Sequence, residues 1–208
     1  LGESLEKIAT EKAGIIKKVV PLVIGEVLPE TLPVFEKAAM EKNAPLSIAT
    51  HARMAEEWKW ENNELHVTVT NKPDEPVIYR LDLPGIYQVK NLLTVLETCS
   101  RLRELGWNIN GAVLQTALQQ VKKLTGFHGR WEMLRRSPLV IIDVAHNEDG
   151  MTQLAEQLRQ CEYEKLHIVI GLVKDKEVDS ILRLLPRNAD YYFTKAQIPR
   201  ALPEDSLC

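Results

Sequence analysis

The chain has 208 residues, of which 45% are hydrophobic and 26% charged, and its formal net charge is −3. These values are typical of one large or two small globular domains; they exclude disordered and fibrous classes and argue against a nucleic-acid partner, which would require a basic surface. Three cysteines without C-x-x-C spacing, and the lack of a leader pattern or of an apolar run of about 20 residues, predict a cytoplasmic protein with no membrane partner.

Both ends of the sequence are typical of a fragment. The chain begins at Leu1 without Met and enters a helical pattern at once. It stops at Cys208, within what reads like the first turn of a new helix. We therefore expect a piece of a longer protein, whose activity requires residues outside this sequence.

The first half of the sequence predicts a βαβ unit followed by a small antiparallel insert. Short continuous apolar runs indicate buried parallel strands, whereas alternation around an Asn-rich turn indicates a hairpin. The predicted elements are a helix between Ser4 and Gly14, strands over 21–25 and 46–50, a helix over 32–42, strands on either side of Asn62-Asn63, and a strand over 77–81.

Two helical patterns, over 88–105 and 110–125, precede a Gly-punctuated segment and a second strand-rich region. We place a domain boundary there, between 1–125 and 126–208. The later predicted elements are strands over 132–136 and 139–143, a helix after Asn147, a strand over 167–171, a helix over 177–185 and a strand over 191–193. The predicted fold class is α/β, with mostly parallel sheets flanked by helices in a doubly wound arrangement.

Polar loops directly after apolar strands are the places where open α/β sheets bind ligands. Asp143, His146 and Asn147 follow such a strand and precede a helix, an arrangement that suits ribose hydroxyls or an anion. Asp143 and Asn147 are equally good as simple helix caps. The loops 171–176 and 194–200 have the same position after strands, and both could equally be solvated turns.

Two cations outside those loops are candidates as well. Arg130, in the Gly-flanked segment, could hold a phosphate with its planar guanidinium, although most single arginines are solvated. Lys12 could be a reactive amine, although base rates favour a surface lysine. The sequence contains no G-x-G-x-x-G and no G-x-x-x-x-G-K-[ST] loop, and its five histidines show no i, i+4 pair.

Four segments, in this order and spacing, closely resemble the folylpolyglutamate synthase and dihydrofolate synthase family of the Mur ligase superfamily. The segments are Leu-Gly-Glu-Ser-Leu at 1–5, Ile-Ala-Thr-Glu-Lys-Ala-Gly-Ile-Ile-Lys at 8–17, His-Gly-Arg-Trp-Glu at 128–132 and Asp-Val-Ala-His-Asn at 143–147. The resemblance implies the latter part of a central ATP-binding domain and the first part of a Rossmann-like C-terminal domain. It also implies an ATP-dependent ligase that forms an acyl phosphate on a folate or pteroate carboxylate, which the amine of L-glutamate then attacks to form an amide.

The resemblance also implies a role for each candidate residue. Lys12 matches a carbamylated lysine that helps to hold Mg²⁺, and Asn91 matches a contact to the adenine of ATP. Arg130 matches a phosphate contact, Asp143 a ribose contact, and His146 a histidine that faces the active site where glutamate is expected. The family's phosphate-binding loop and its other metal ligands would precede Leu1, so we expect this chain alone to be inactive.

Two alternatives stay open at this point. The first is another Mur-type ligase that adds an amino acid to a different acceptor. The second is a non-catalytic nucleotide-binding domain, which the missing phosphate loop would favour in a complete protein. The expected partners of the parent protein are ATP, L-glutamate and dihydropteroate or tetrahydrofolate, with Mg²⁺ as cofactor and a monomeric state.

Overall fold

The structure is a computed structural model, and it describes residues 4–71, 75–174 and 178–207. The backbone packs as two compact units, Leu1–His128 and Gly129–Cys208. The predicted domain boundary between 125 and 126 refers to the domains of a parent protein and stays a prediction. None of the described helices combines the length and apolar character that crossing a bilayer requires.

The first unit opens with the predicted βαβ arrangement. Helix α1 (Leu5–Ala13) begins at Ser4, whose hydroxyl accepts a hydrogen bond from the Lys7 N–H at 3.3 Å. Strand β1 (Leu22–Ile24) pairs in parallel with β2 (Leu46–Ile48), and helix α2 (Leu32–Glu41) connects them. A small core joins these elements through Ala13, Ile16, Ala39 and Ala44.

A three-stranded antiparallel sheet follows a single helical turn, α3 (Ala49–Ala52). Its strands are β3 (Met54–Glu61), β4 (Glu64–Thr70) and β5 (Val77–Leu81), with β4 in the centre. Asn62 and Asn63 both have positive φ, 52° and 65°, as the tight turn between β3 and β4 requires. The hairpin and its third strand are as the sequence predicts.

The antiparallel sheet contributes much of the core of the first unit. Its inner face packs on α4 (Gln88–Glu104) and α5 (Gly111–Leu118). Each fully buried leucine there contributes about 1.5–3 kcal/mol to stability relative to an exposed one. The buried residues are Ala49, Leu65, Val67, Val69, Tyr79, Leu81, Leu92, Leu93, Leu96, Leu114 and Leu118.

The helix predicted over 110–125 is interrupted, and this part of the prediction is wrong. Asn110 caps α5 as predicted, accepting a hydrogen bond from Val113 N–H at 2.8 Å. A separate short helix, α6 (Val121–Thr125), follows. The break arises because Asp82, just after β5, donates its N–H to the carbonyl of Leu118 at 3.3 Å and accepts from the Lys122 N–H at 2.9 Å.

The described residues of the second unit form two strand pairs and two α-helices. Strands β6 (Glu132–Arg136) and β7 (Leu139–Ile142) form an antiparallel hairpin, and α7 (Glu148–Arg159) follows. Strands β8 (His167–Ile170) and β9 (Asp190–Phe193) pair in parallel through α8 (Val178–Leu184). The last described segment is a 3-10 turn, Glu204–Leu207, where the sequence predicts a new helix.

The mixed α/β class is confirmed, but the doubly wound sheet of the second unit is present only in part. Among the described residues, β7 pairs with β6 and β8 with β9, so the parallel sheet there has two strands. The predicted helix over 177–185 begins at Glu177, outside the described residues. The core of the unit lies between α7, α8 and the parallel pair, and includes Met151, Leu172, Ile181, Leu185 and Leu207.

Candidate functional site

A small pocket opens beside the first turn of α4 in the first unit. Its volume is about 150 Å³, smaller than the roughly 300–1,000 Å³ of a site for a whole drug-sized ligand. The space therefore suits one ring system rather than a complete nucleotide. The lining is apolar except for two amides, and consists of Leu81, Leu83, Gln88, Asn91, Leu92, Val95, Leu118 and Val121.

The two amides of this pocket are paired with each other. Asn91 Nδ2 donates to Gln88 Oε1 at 2.9 Å, one helical turn away, and Gln88 is buried. Among the described residues no other partner takes the Gln88 Nε2 donor or the Asn91 Oδ1 acceptor. Adenine offers an acceptor ring nitrogen beside its N6 amino donor, so an adjacent donor and acceptor can bind it.

Sequence reasoning identified Asn91 but missed Gln88. The signal was present, because residues three apart on a helix share a face. The backbone before α4 is tightly folded: Gln88 N–H donates to the Gly85 carbonyl at 2.9 Å. A Cβ at Gly85 would come within 2.6 Å of the Tyr87 ring, so a larger residue there would force that ring to shift.

Lys12 lies in the last turn of α1, and its side chain is exposed. It forms no ion pair within the part of the chain that the structure describes. Lys12 is thus a surface lysine, as most lysines in proteins are. Lys12 and Asn91 both belong to the first unit, and the other three predicted site residues belong to the second.

In the second unit, the segment that carries Arg130 and the loop after β7 are held together by two hydrogen bonds, one to a side chain and one between backbone groups. The N–H of Trp131 donates to Asp143 Oδ2 at 2.8 Å, and the N–H of Val144 donates to the Gly129 carbonyl at 2.9 Å. These two bonds bring Arg130 and Asp143 into one local site. Arg130 is half-buried there.

Asp143 uses both carboxylate oxygens to organise this site. Besides the bond from Trp131, Oδ1 accepts the Ala145 N–H at 2.8 Å. Each carboxylate oxygen has two lone pairs and can therefore accept more than one hydrogen bond. The capping alternative for Asp143 is wrong in its simple form, because Asn147 is the N-cap of α7 and accepts the Gly150 N–H at 2.9 Å.

His146 completes this loop between Asp143 and α7. Its side chain is exposed, and Nδ1 lies 3.0 Å from the Val144 carbonyl. A hydrogen bond there requires a proton on Nδ1, which leaves Nε2 of the neutral ring as an acceptor. The ring is thus oriented by the same loop that holds Asp143.

The two other loops that the sequence singled out lie side by side after β8 and β9. Lys174 N–H donates to the Arg200 carbonyl at 3.0 Å, and Val173 bridges Ala201. A side chain at Gly171 would come within 2.7 Å of the Thr194 carbonyl oxygen. These contacts are structural, and a ligand role for either loop stays a prediction; residues 175–176 lie outside the described part.

The two described cysteines are poor candidates for a nucleophile. Burial raises the pKa of the Cys99 thiol and also that of the Cys161 thiol, which favours the unreactive protonated form. The arginines near Cys99 oppose this effect but do not reverse it.

Comparison with known proteins gives one consistent relationship. Residues 129–208 match the family described as Mur ligase, glutamate ligase domain. The chain is 30% identical over 206 residues to the dihydrofolate synthase/folylpolyglutamate synthase of Bacillus subtilis, covering 97% of this chain and 46% of that protein. It is 26% identical over 212 residues to the folylpolyglutamate synthase of Lacticaseibacillus casei, covering 98% of this chain and 47% of that protein.

A solved structure agrees with these relatives. The folylpolyglutamate synthase of Mycobacterium tuberculosis, complexed with ADP and AMPPCP, superposes with a TM-score of 0.84 at 26% identity. The match covers 100% of this chain and 47% of that one. The chain thus spans about half the length of the relatives it matches. Residues 129–208 thus resemble a Mur ligase domain, and nearly the whole chain is similar to folylpolyglutamate and dihydrofolate synthases.

Proposed function

We propose that the protein is an ATP-dependent amide ligase that adds L-glutamate to dihydropteroate, to tetrahydrofolate or to both. The observation that carries the proposal is the similarity, over 97% of this chain, to a relative named dihydrofolate synthase/folylpolyglutamate synthase. The small apolar pocket with its paired amides supports the nucleotide part, because it offers adenine an apolar space and groups for complementary hydrogen bonds.

Each candidate residue has a distinct role in this proposal. Asn91 binds the adenine, Asp143 accepts hydrogen bonds from the ribose hydroxyls, and Arg130 binds the ATP phosphates. His146 faces the incoming glutamate, and Lys12, as its carbamate, is a ligand of Mg²⁺. The hydrogen bonds of Asp143 to Trp131 and Ala145 support its role, because they hold the carboxylate in one orientation.

The chemistry requires a carboxylate to become electrophilic. A carboxylate oxygen of the folate acceptor attacks the γ-phosphorus of ATP, and ADP leaves. The resulting acyl phosphate is attacked at its carbonyl carbon by the glutamate amine, and inorganic phosphate leaves with the oxygen it received. Fixed cations such as Arg130 stabilise the phosphate charge in both steps. His146 is a candidate to accept the proton that the amine releases.

The described residues do not form a magnesium site by themselves. Among them there is no group of three His, Cys, Asp or Glu that could hold a metal ion. The ammonium of Lys12 would repel a cation, whereas a carbamate would present the oxygen ligands that Mg²⁺ prefers. Lys12 could thus supply one ligand, and the others would come from outside these residues; we assign no step to the ion.

We propose that the protein acts as a monomer in the cytoplasm and that its partners are small molecules only. The net charge of −3 gives no electrostatic drive toward nucleic acid. The substrates are accordingly ATP, L-glutamate and the folate or pteroate acceptor. We expect the ligase activity from the complete gene product rather than from this chain alone.

The experiment is a product-mass assay of the complete gene product with ATP, Mg²⁺, L-glutamate and either dihydropteroate or tetrahydrofolate. We expect a gain of one glutamate on dihydropteroate, a ladder on tetrahydrofolate, or both. Arg130→Ala is expected to abolish the gain, whereas Arg136→Ala, at an exposed arginine of β6, serves as the matched control.

Two results would contradict the proposal. No gain with either acceptor, from a protein that binds ATP, would indicate another Mur-type substrate. No binding of ATP at all would favour a non-catalytic domain.

A further inference from the structure

The backbone on both sides of Arg130 is left-handed. Gly129 has φ of 76° and Trp131 has φ of 49°. Glycine adopts such a conformation freely, but a bulky residue rarely does so, and the strain must be held by surrounding contacts. Strained backbone of this kind is concentrated at functional sites. Arg130 therefore lies in a strained turn, and contacts with the surrounding residues must hold that turn in place.

Three hydrogen bonds hold this turn. Gly129 N–H donates to Glu132 Oε2 at 2.9 Å, and Trp131 N–H donates to Asp143 Oδ2 at 2.8 Å. The Gly129 carbonyl accepts the Val144 N–H at 2.9 Å. The backbone groups on either side of Arg130 are thus hydrogen-bonded to three different residues, and two of these bonds are to side-chain carboxylates.

Packing fixes the same turn from both ends. Trp131 is buried, with 8% of its surface exposed, in a unit whose neighbouring hairpin residues are largely exposed. At the other end, a Cβ on Gly129 would come within 2.6 Å of Val144 Cγ1. The Trp131 ring anchors one side of the turn and the close approach of Val144 limits the other.

We propose that Trp131 and Glu132 are positioning residues that hold the Arg130 guanidinium at the phosphates. This inference rests on the proposed function, in which Arg130 binds the phosphates. A flexible arginine must lose side-chain and backbone freedom to stabilise a transferring phosphoryl group, and a prearranged backbone removes part of that loss. Glu132 acts as a hydrogen-bond acceptor for Gly129, and Trp131 acts through its buried ring.

The test compares Glu132→Ala with Glu132→Gln in the complete gene product. Glutamine keeps an oxygen that can accept the Gly129 N–H but removes the charge. We expect Glu132→Ala to lower kcat about 10- to 100-fold, the scale of a misplaced positioning contact, and Glu132→Gln to restore most of the rate. Affinity for ADP, which lacks the γ-phosphate, should change little. Glu164→Ala, at an exposed glutamate of the second unit, is the matched control.

A double variant separates positioning from general damage. If Glu132 acts through Arg130, adding Glu132→Ala to Arg130→Lys, which keeps a cation but not the planar guanidinium, should lower kcat much less than Glu132→Ala does in the original protein, because coupled residues are not additive. Additive losses would overturn the inference, and so would a Glu132→Gln variant as slow as Glu132→Ala, since charge rather than the hydrogen bond would then matter.

Variants of Trp131 supply an independent check, which can be measured even if Glu132→Ala folds poorly. Trp131→Phe should keep kcat near that of the original protein because a large ring remains, whereas Trp131→Ala should lower it. Equal rates for these two variants would refute the role of the ring. If the original protein is inactive, the proposed function is refuted. If the original protein is active and Arg130→Ala is inactive, but Glu132→Ala is unaffected, only this inference is refuted.

Discussion

Glu97 is the most deeply buried charge of α4, the helix that carries the Gln88–Asn91 pair, and only 2% of its side chain is exposed. Its Oε2 lies 3.3 Å from Arg53 Nη2, and its Oε1 lies 3.0 Å from Arg101 Nε. The second contact is an ion pair without hydrogen-bond alignment, because Arg101 Nε is buried without a hydrogen-bond partner.

Replacing Glu97 by alanine should destabilise the first unit strongly. The change would leave two guanidinium groups next to each other, with 11% of the Arg53 and 33% of the Arg101 side chain exposed. Removing one partner of a buried ion pair costs about 3–5 kcal/mol of unfolding free energy. Because Arg101 is a third exposed and also pairs with Glu104 at 2.9 Å, we expect the lower end, about 3 kcal/mol.

Urea unfolding followed by tryptophan fluorescence measures this loss. Three of the four tryptophans report on the first unit: Trp58, Trp60 and Trp107. The matched control is Glu104→Ala on the same helix, whose side chain is 59% exposed and whose pair should contribute about 0–1 kcal/mol. Equal losses from Glu97→Ala and Glu104→Ala would refute the reasoning, because burial would then have no influence on the strength of the pair.

Three further predictions address the site and the second unit. Asn91→Leu should weaken ATP binding by the complete gene product about 5- to 150-fold, since about 1–3 kcal/mol is lost when buried polar groups are left unpaired; calorimetry measures it. Asn147→Ala removes the cap on α7 and should cost about 1 kcal/mol in urea unfolding. Lys165→Met should lower the Tm at neutral pH but not in strong acid. A hydrogen bond and charge from Lys165 lower the pKa of the Asp190 carboxyl, so this contribution is present above the ordinary pKa and is lost as the pH falls through the lowered one.

Each of these predictions has a control or a contrary result. A loss of affinity for ADP as large as that for ATP is expected of Asn91→Leu, because both contain adenine; a selective loss for ATP would contradict the adenine role. Asn188→Ala, at an exposed asparagine outside the helices, should leave stability unchanged. A Tm difference between Lys165→Met and the original chain that persists in strong acid would show that the pair with Asp190 is not its cause.

Local patterns in the sequence were enough to predict most elements, because caps and turn residues act over a few positions. Ser4 and Asn110 cap helices as predicted, and Asn62-Asn63 forms the predicted turn. The interruption after α5 was not predictable in this way. It depends on Asp82, which is distant in sequence and contacts the ends of both helices.

The candidate site shows the same division between local and long-range information. Residue types and the family resemblance pointed to Arg130 and Asp143, but not to the left-handed turn that joins their loops. That turn depends on a hydrogen bond between Trp131 and Asp143, across the whole β6–β7 hairpin. Hydropathy patterns contain no information about such a bond, because it depends on where the hairpin brings its two ends together.

The central claim, transfer of a phosphoryl group to the acceptor carboxylate before amide formation, is tested most directly by oxygen labelling. The complete gene product is supplied with ATP, Mg²⁺, L-glutamate and an acceptor whose carboxylate carries ¹⁸O at both positions. The mechanism predicts that each amide bond formed releases one inorganic phosphate containing one ¹⁸O atom, together with ADP. Unlabelled phosphate, or release of AMP and pyrophosphate, would contradict it.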